Sequence, residues 1–407
     1  MNILWIPNFL PFPANNGGKV VISNRMRQVG KCNRIFLLVE DDQNIDESTQ
    51  KEIDAICEQV IIVPKKRRTK LYHVAHLLLD AVNVGRYKNS DTSDMILSCL
   101  EKYDIDIINL DLPMLFVNLL PIKNRLGKAV VVINQHNLEY KNVRSKVKVK
   151  GLNPLIKLYA ALESHQLFKW EKRIYREDCI KGFTFVSDED MREFQNTFNC
   201  TNKILLLSPI GTNIPECRDG DSNLLDGTKK NIVFPAAFDY GPNVFGAQWF
   251  VKEVFPKIKG KVHDAELYLV GKSPKEEVKK LAAHDIKVTG TVPDMLPYMK
   301  EADLFIVHIF FGGGVKTKLI EMGCWKKPIV TTEEGRVGTI YTDDDVCIAN
   351  SPADFALGCI NALQHPETYA PRCEGMYKKT VDNYLWNNIG EKYINFLNEI
   401  ILQNEEK

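Results

Sequence analysis

Phe310-Phe311-Gly312-Gly313-Gly314-Val315-Lys316-Thr317-Lys318-Leu319-Ile320-Glu321-Met322 follows a run that reads as a strand, Leu304 to Val307, and passes directly into helical apolar spacing. Three consecutive glycines let the backbone approach a ligand closely. The helix start beyond them offers unpaired N–H groups and the positive end of a dipole. Lys316 and Lys318 add charge at the same place, and Glu321, about a turn or two further in, is of the type that accepts hydrogen bonds from ribose hydroxyls. A nucleoside diphosphate fits this set. The loop is neither a Walker A sequence nor a G-x-G-x-x-G fingerprint, so taken alone it reads equally as a tight helix entry.

Outward from this stretch, a strand–loop–helix rhythm runs through both halves of the chain and predicts parallel sheets covered by helices on both faces. In the first half the expected strands are Asn2–Ile6, Arg34–Val39, Val60–Val63, Ile105–Leu110, Ala129–Ile133 and Gly182–Val186. Asn15-Asn16-Gly17-Gly18-Lys19 forms the first strand-to-helix loop, opening a helical pattern from Val20 to Val29. The polar stretch Glu216 to Lys230 reads as a linker. Beyond it the expected strands are Asn231–Pro235, Glu266–Val270, Lys287–Thr289, Leu304–Val307, Ile329–Thr332 and Val346–Ile348. The organisation expected is two doubly wound Rossmann-like domains, 1–212 and 213–385, facing a central cleft, with a terminal helix from about 386 to 407 packing back on the first domain.

With 407 residues, 44% apolar and 26% charged, the chain is too long for one core and has the composition of a globular protein. A formal net charge of +1 gives no global electrostatic case for nucleic acid. The ten cysteines are scattered singly without metal-ligand spacing and read as reduced thiols. Met1 to Pro7 lacks a cationic lead and reads as a strand rather than a signal peptide. No apolar run is long enough for a membrane span, and a cytoplasmic location is expected. Two basic stretches, Lys65–Lys70 and Lys146–Lys157, have a solvated helix face as the favoured reading and contact with the inner face of a membrane as the alternative.

Several segments together resemble family-4 (group 1) glycosyltransferases of the GT-B kind, in a triple-glycine branch. These are Val288 to Met299, Ala302 to Val307, the glycines with Glu321, Lys327 to Thr332, Phe238 to Asn243 leading to Trp249-Phe250, Leu269 to Lys272, Gly17-Gly18, Gln135-His136-Asn137-Leu138-Glu139 and Phe185 to Ser187. The resemblance implies a nucleotide-diphosphate sugar, UDP- or GDP-linked, as donor substrate and no separate cofactor. It implies transfer with retention to a glycan or lipid-linked acceptor, in surface polysaccharide or glycoconjugate assembly. Gly17 and Gly18 then lie against the donor phosphates or the sugar, and His136 lies near the reacting centre. Gly314, Val315, Lys316, Thr317 and Lys318 hold the diphosphate, with Gly313 beside them as a further substrate-binding position; Glu321 binds the ribose, and Gly271 and Val292 flank the base. Asp239 and Asn243 read equally as caps of the following helix or as substrate contacts.

The sequence also departs from the family. Gly313 stands where a first carboxylate is common, Ala237 where an arginine is, and the position near Asn243 where a lysine is. Trp325-Lys326 replaces a small pair, and His308 a proline. Lys316 and Lys318 are expected to supply the missing charge, stabilising the leaving diphosphate without a metal. A nucleotide-sugar-binding protein with reduced turnover and a sugar-nucleotide epimerase are the alternative readings.

Overall fold

In the computed structural model, which describes residues 1–14, 17–41, 45–66, 81–148, 153–216, 224–311 and 315–406, two separate parallel sheets account for every strand. The chain divides into a first unit, Met1–Pro209 with Ile389–Lys407, and a second, Ile210–Asn388.

The sheet of the first unit contains β1 (Asn2–Ile6), β2 (Arg34–Glu40), β3 (Gln59–Val63), β4 (Ile107–Leu110), β5 (Val130–Gln135), β6 (Ile180–Phe185) and β7 (Ile204–Leu207), in the order β3-β2-β1-β4-β5-β6-β7. All neighbours are parallel, with Ile3 of β1 opposite Ile35 of β2 on one side and Ile107 of β4 on the other. Alternation sends Leu4 and Ile6 to one face, with Phe36 and Ile108, and Ile3 and Trp5 to the other, with Ile35 and Val132. Both faces are buried, as a parallel sheet requires. β7 lies outside the sequence expectation. Its four half-buried residues run straight into Ser208-Pro209, and what makes them a strand is pairing with β6, Phe183 opposite Leu205.

The last helix, Trp386–Glu405, contributes Tyr393, Phe396, Leu397 and Ile400 to the core that holds Ile3 and Trp5. The close approach depends on Gly182 of β6, where a Cβ would stand 2.5 Å from Cδ1 of Ile400 and 2.6 Å from Cζ of Phe396.

The sheet of the second unit contains β8 (Lys230–Pro235), β9 (Ala265–Val270), β10 (Ile286–Gly290), β11 (Leu304–Val307), β12 (Ile329–Thr331) and β13 (Cys347–Ile348), in the order β10-β9-β8-β11-β12-β13, again parallel throughout. Each strand order reverses beside its first strand, between β1 and β4 and between β8 and β11. Such switch points leave a crevice at the carboxyl ends of the strands, which is where open α/β sheets bind ligands.

Candidate functional site

At the switch point of the second unit, β8 leads into Ala236 to Tyr240 and the helix Gly241–Trp249. β11 leads through His308 to Phe311 toward the helix Thr317–Met322. Gly312, Gly313 and Gly314 lie outside the described residues. Among the described residues, a side-chain bond ties together the two helices that follow these strands. Nζ of Lys318 donates to Oδ1 of Asn243 at 2.8 Å, while Nδ2 of Asn243 donates to the carbonyl of Ala237 at 2.8 Å. Asn243 is buried and bonded at both ends of its amide, so it holds the ammonium group beside the backbone of the β8 loop. The ammonium also lies 4.9 Å from the centre of the Phe234 ring. Burial brings Lys318 down to about 7, with Glu321 opposing the shift and Lys316 adding to it. Lys318 is thus a cation whose charge is only half present at neutral pH and which an anion would restore.

Lys316 is buried, and its Nζ is 3.5 Å from Oε1 of Glu334; burial lowers its pKa and Glu334 opposes that. Glu321 is exposed, on the same helix as Lys318. Val315 and Val292 are half-buried against the core containing Tyr341 and Leu319. Gly271, at the end of β9, has φ +149°, and a Cβ there would stand 1.8 Å from the carbonyl oxygen of Ala236. Only glycine lets the β9 end pass this close to the β8 loop. Asp239 is exposed, and the cap position of the following helix is Tyr240, without a side-chain capping bond, so neither Asp239 nor Asn243 is the N-cap. His308 is fully buried among aromatic rings, 4.3 Å from Phe234 and 5.1 Å from Phe250. Burial, then the charge of Lys318, drops it to about 3, and it stays a neutral core ring.

The switch point of the first unit holds a cavity of about 370 Å³ lined by residues that follow β1, β4 and β5, among them Asn8, Leu112 and His136. Gly18, in the first turn of the helix Gly17–Val29, forms part of the same wall; Gly17 is exposed beside it. Nε2 of His136 is buried without a hydrogen-bond partner, and burial, with Arg25 adding to it, lowers the ring to about 3. The imidazole is therefore neutral.

Beneath this cavity lies a buried polar cluster. Asp111 accepts from Nε1 of Trp5 at 2.7 Å and from Nδ2 of Asn134 at 2.7 Å. Arg25 donates to the Ser208 carbonyl at 2.6 Å, and its charge acts on both Asp111 and His136. Burial outweighs these bonds and raises Asp111 to about 6. The Tyr393 hydroxyl lies 2.7 Å from Oδ1 of Asn109 and 2.8 Å from Oδ1 of Asn134.

Of the residues expected from sequence, His136 and Gly18 share one wall in the first unit, and Asn243 and Lys318 are bonded in the second. Lys316, Thr317, Glu321, Gly271 and Val292 stand at or near the carboxyl ends of the second sheet. Sequence reading missed Asn8, Arg86, Tyr87 and Met114, which line the first cavity, and the buried cluster of Asp111 with Trp5 and Asn134. Asn8 and Met114 had a signal, since each follows a strand at the switch point.

Residues 229–365 match the family described as glycosyl transferases group 1. A comparison with curated proteins returns no match. Among solved structures, the chain is similar to a glycosyltransferase from Rickettsia africae, at 15% identity with 98% of each chain covered and a TM-score of 0.65. It is similar to sucrose-phosphate synthase from Thermosynechococcus elongatus, at 13% identity over 99% of this chain and 100% of that one, with a TM-score of 0.65. It is also similar to Alr3699/HepE of Anabaena in complex with UDP, at 10% identity over 98% of this chain and 100% of that one, with a TM-score of 0.66. These likenesses show the fold, two Rossmann-like parallel-sheet units of the GT-B kind.

Proposed function

We propose that the protein is a glycosyltransferase that takes its donor as a nucleoside-diphosphate sugar on the second unit and its acceptor on the first. The observation that carries this is the Lys318–Asn243 pair, a half-buried cation anchored at the switch point inside the segment that matches group 1 glycosyl transferases. A diphosphate placed there restores the charge that burial withdraws from Lys318. During transfer the same ammonium, with Lys316, stabilises the negative charge developing on the leaving diphosphate. Glu321, open to solvent on the same helix, is the acceptor proposed for ribose hydroxyls. His136, neutral and short of one hydrogen bond, orients a hydroxyl in the first unit rather than acting as an acid. UDP is the base to try first, since the Anabaena protein of this fold is complexed with it.

A thermal-shift screen of UDP-, GDP-, CMP- and dTDP-sugars, followed by nucleotide release with wild type, Lys318→Ala and Glu321→Ala, tests the reading. Ligand at a hundred times its Kd stabilises by about 2.7 kcal/mol. Stabilisation by one nucleotide class, weaker in both variants, supports it; no shift with any of them sinks it. Binding without nucleotide release in the presence or absence of acceptors would leave a binding protein. Retention is read from the anomeric proton coupling of the product, and independence of metal from unchanged rates in excess chelator.

Surface-glycan assembly on a lipid-linked acceptor is the pathway proposed. No helix among the described residues is long and apolar enough to cross a membrane. A peripheral contact is proposed instead at the helix Pro154–Ile174, where Leu155 (74%), Ile156 (47%), Leu158 (58%) and Leu162 (38%) are exposed. Leu155, Leu158 and Leu162 lie opposite the buried stripe of Ala160, Leu167 and Ile174, so the first turns of this helix are apolar on both faces, with Lys157 among them and Lys146 before the helix. Of the other basic stretch, Arg67 to Lys70 lie outside the described residues, as do residues 149–152 of this one. Vesicle sedimentation should show binding to anionic lipid that weakens in Leu158→Glu and with salt; equal recovery with both proteins would remove the membrane contact.

A further inference from the structure

The cavity of His136 adjoins a second one in the same unit, of about 220 Å³, and Asn8, Arg86 and Tyr87 line both. The two differ in chemistry. The first combines the apolar side chains of Phe9, Ile22, Leu112 and Met114 with the polar groups of His136 and Glu139. The second is walled by Lys65, Lys66 and Arg86, with Glu40 as its one carboxylate.

The three cations are not equally engaged. Nζ of Lys66 donates to Oγ of Ser90 at 2.6 Å and to Oδ1 of Asp91 at 2.8 Å. Nζ of Lys65 stands 3.9 Å from Oδ1 of Asp41. Glu40 accepts from Oγ1 of Thr92 at 2.6 Å. Arg86, in the last turn of the helix Val82–Tyr87, is exposed and has no ion-pair partner among the described residues. The guanidinium therefore stands at the wall common to both cavities with its donors uncommitted. It is the side chain whose fork geometry matches a phosphate or carboxylate group in two parallel bonds. Its placement is fixed from behind, since the backbone N–H groups of Val82 and Asn83 at the start of its helix donate to the fully buried Glu163, at 3.0 Å and 2.8 Å.

We infer that the ligand of these joined cavities carries an anionic group, a phosphate ester or a carboxylate, bound by Arg86 with Lys65 and Lys66 beside it, while its sugar ring lies in the cavity of His136. This deepens the acceptor side of the proposed function and rests on it. It names a class of acceptor, an anionic glycoside, in place of a neutral sugar.

The test uses the full chain saturated with UDP, so that phosphate-bearing probes do not report the donor site, and repeats each titration without UDP. Glucose 1-phosphate, glucuronate and glucose are titrated by calorimetry into wild type, Arg86→Gln and Arg86→Lys. The expected result is that at least one anionic probe binds on the order of tenfold tighter than glucose, that Arg86→Gln removes the difference, and that Arg86→Lys restores part of it. Preference for glucose 1-phosphate assigns a phosphate ester, and preference for glucuronate a carboxylate. Equal affinity for glucose, failure of every probe, or an unchanged preference in Arg86→Gln overturns the inference. Thermal shift of Arg86→Gln with UDP reports folding and the donor site separately. Loss of UDP binding in all proteins, with the anion preference intact, counts against the transferase reading and not against this subsite.

Discussion

Changing the pH from 6 to 8 is expected to weaken binding of a UDP-sugar about tenfold, because Lys318 sits near 7 in the free protein. At pH 6 about ten-elevenths of the molecules carry the charged lysine, and at pH 8 about one-eleventh. On the proposed assignment a bound diphosphate lies against the ammonium and raises its pKa by about 2 pH units or more, within the 1–3 units that an opposite charge at contact is worth, so the bound lysine stays protonated across this range. Ligand must then bring a proton with it when the lysine is neutral, and the ratio of the two fractions is the loss of affinity, about 1.4 kcal/mol. At pH 7 the uptake is about half a proton per ligand. Calorimetry in two buffers of different ionisation enthalpy measures that uptake directly, and a titration series over pH 6–8 gives the slope. Lys318→Ala is expected to bind more weakly at pH 6 and to lose the slope. A flat profile in wild type, or the same slope in Lys318→Ala, would refute the assignment of this lysine to the diphosphate.

Gly271→Ala places a Cβ on the Ala236 carbonyl at a positive φ, so it is expected to cost more than about 1 kcal/mol, read as a lower urea midpoint. Asp111→Asn turns one of the two accepting oxygens, which face Nε1 of Trp5 and Nδ2 of Asn134, into a donor, and is expected to cost about 1–3 kcal/mol at pH 7 through the bond lost. In wild type Asp111 is raised to about 6, so its share of stability is full below the ordinary carboxylate range and is lost as pH rises to 6. The urea stability of Asp111→Asn should therefore fall less between pH 4 and 6 than that of wild type. Tyr393→Phe removes the hydroxyl at Asn109 and Asn134 and is expected to lower stability by about 1–2 kcal/mol with little change in packing, measured by the same titration.

Much of the fold was legible because parallel strands buried on both faces read as short apolar runs between helical patterns, as at Leu304–Val307 and Asn2–Ile6. β7 was not, since the four-residue run Ile204 to Leu207 passes straight into Ser208-Pro209 with no helical pattern after it, and its pairing with β6 is what defines it. The residue types of the donor side were also legible, because glycines and lysines at a helix entry have a chemical meaning independent of their neighbours. What they touch was not. Lys318 and Asn243 stand 75 positions apart, and their bond exists because the strand order brings the ends of β8 and β11 side by side.

The sequence by itself determined two α/β units and, β7 excepted, their strands to within a few residues, since these follow from local period and residue type. Tertiary structure decided which residues meet. Burial brings Lys318 to about 7, His136 and His308 to about 3 and Asp111 to about 6, and Arg86 joins two cavities. Desolvation and the pairing of distant charges are properties of a packed environment, so no spacing along the chain encodes them.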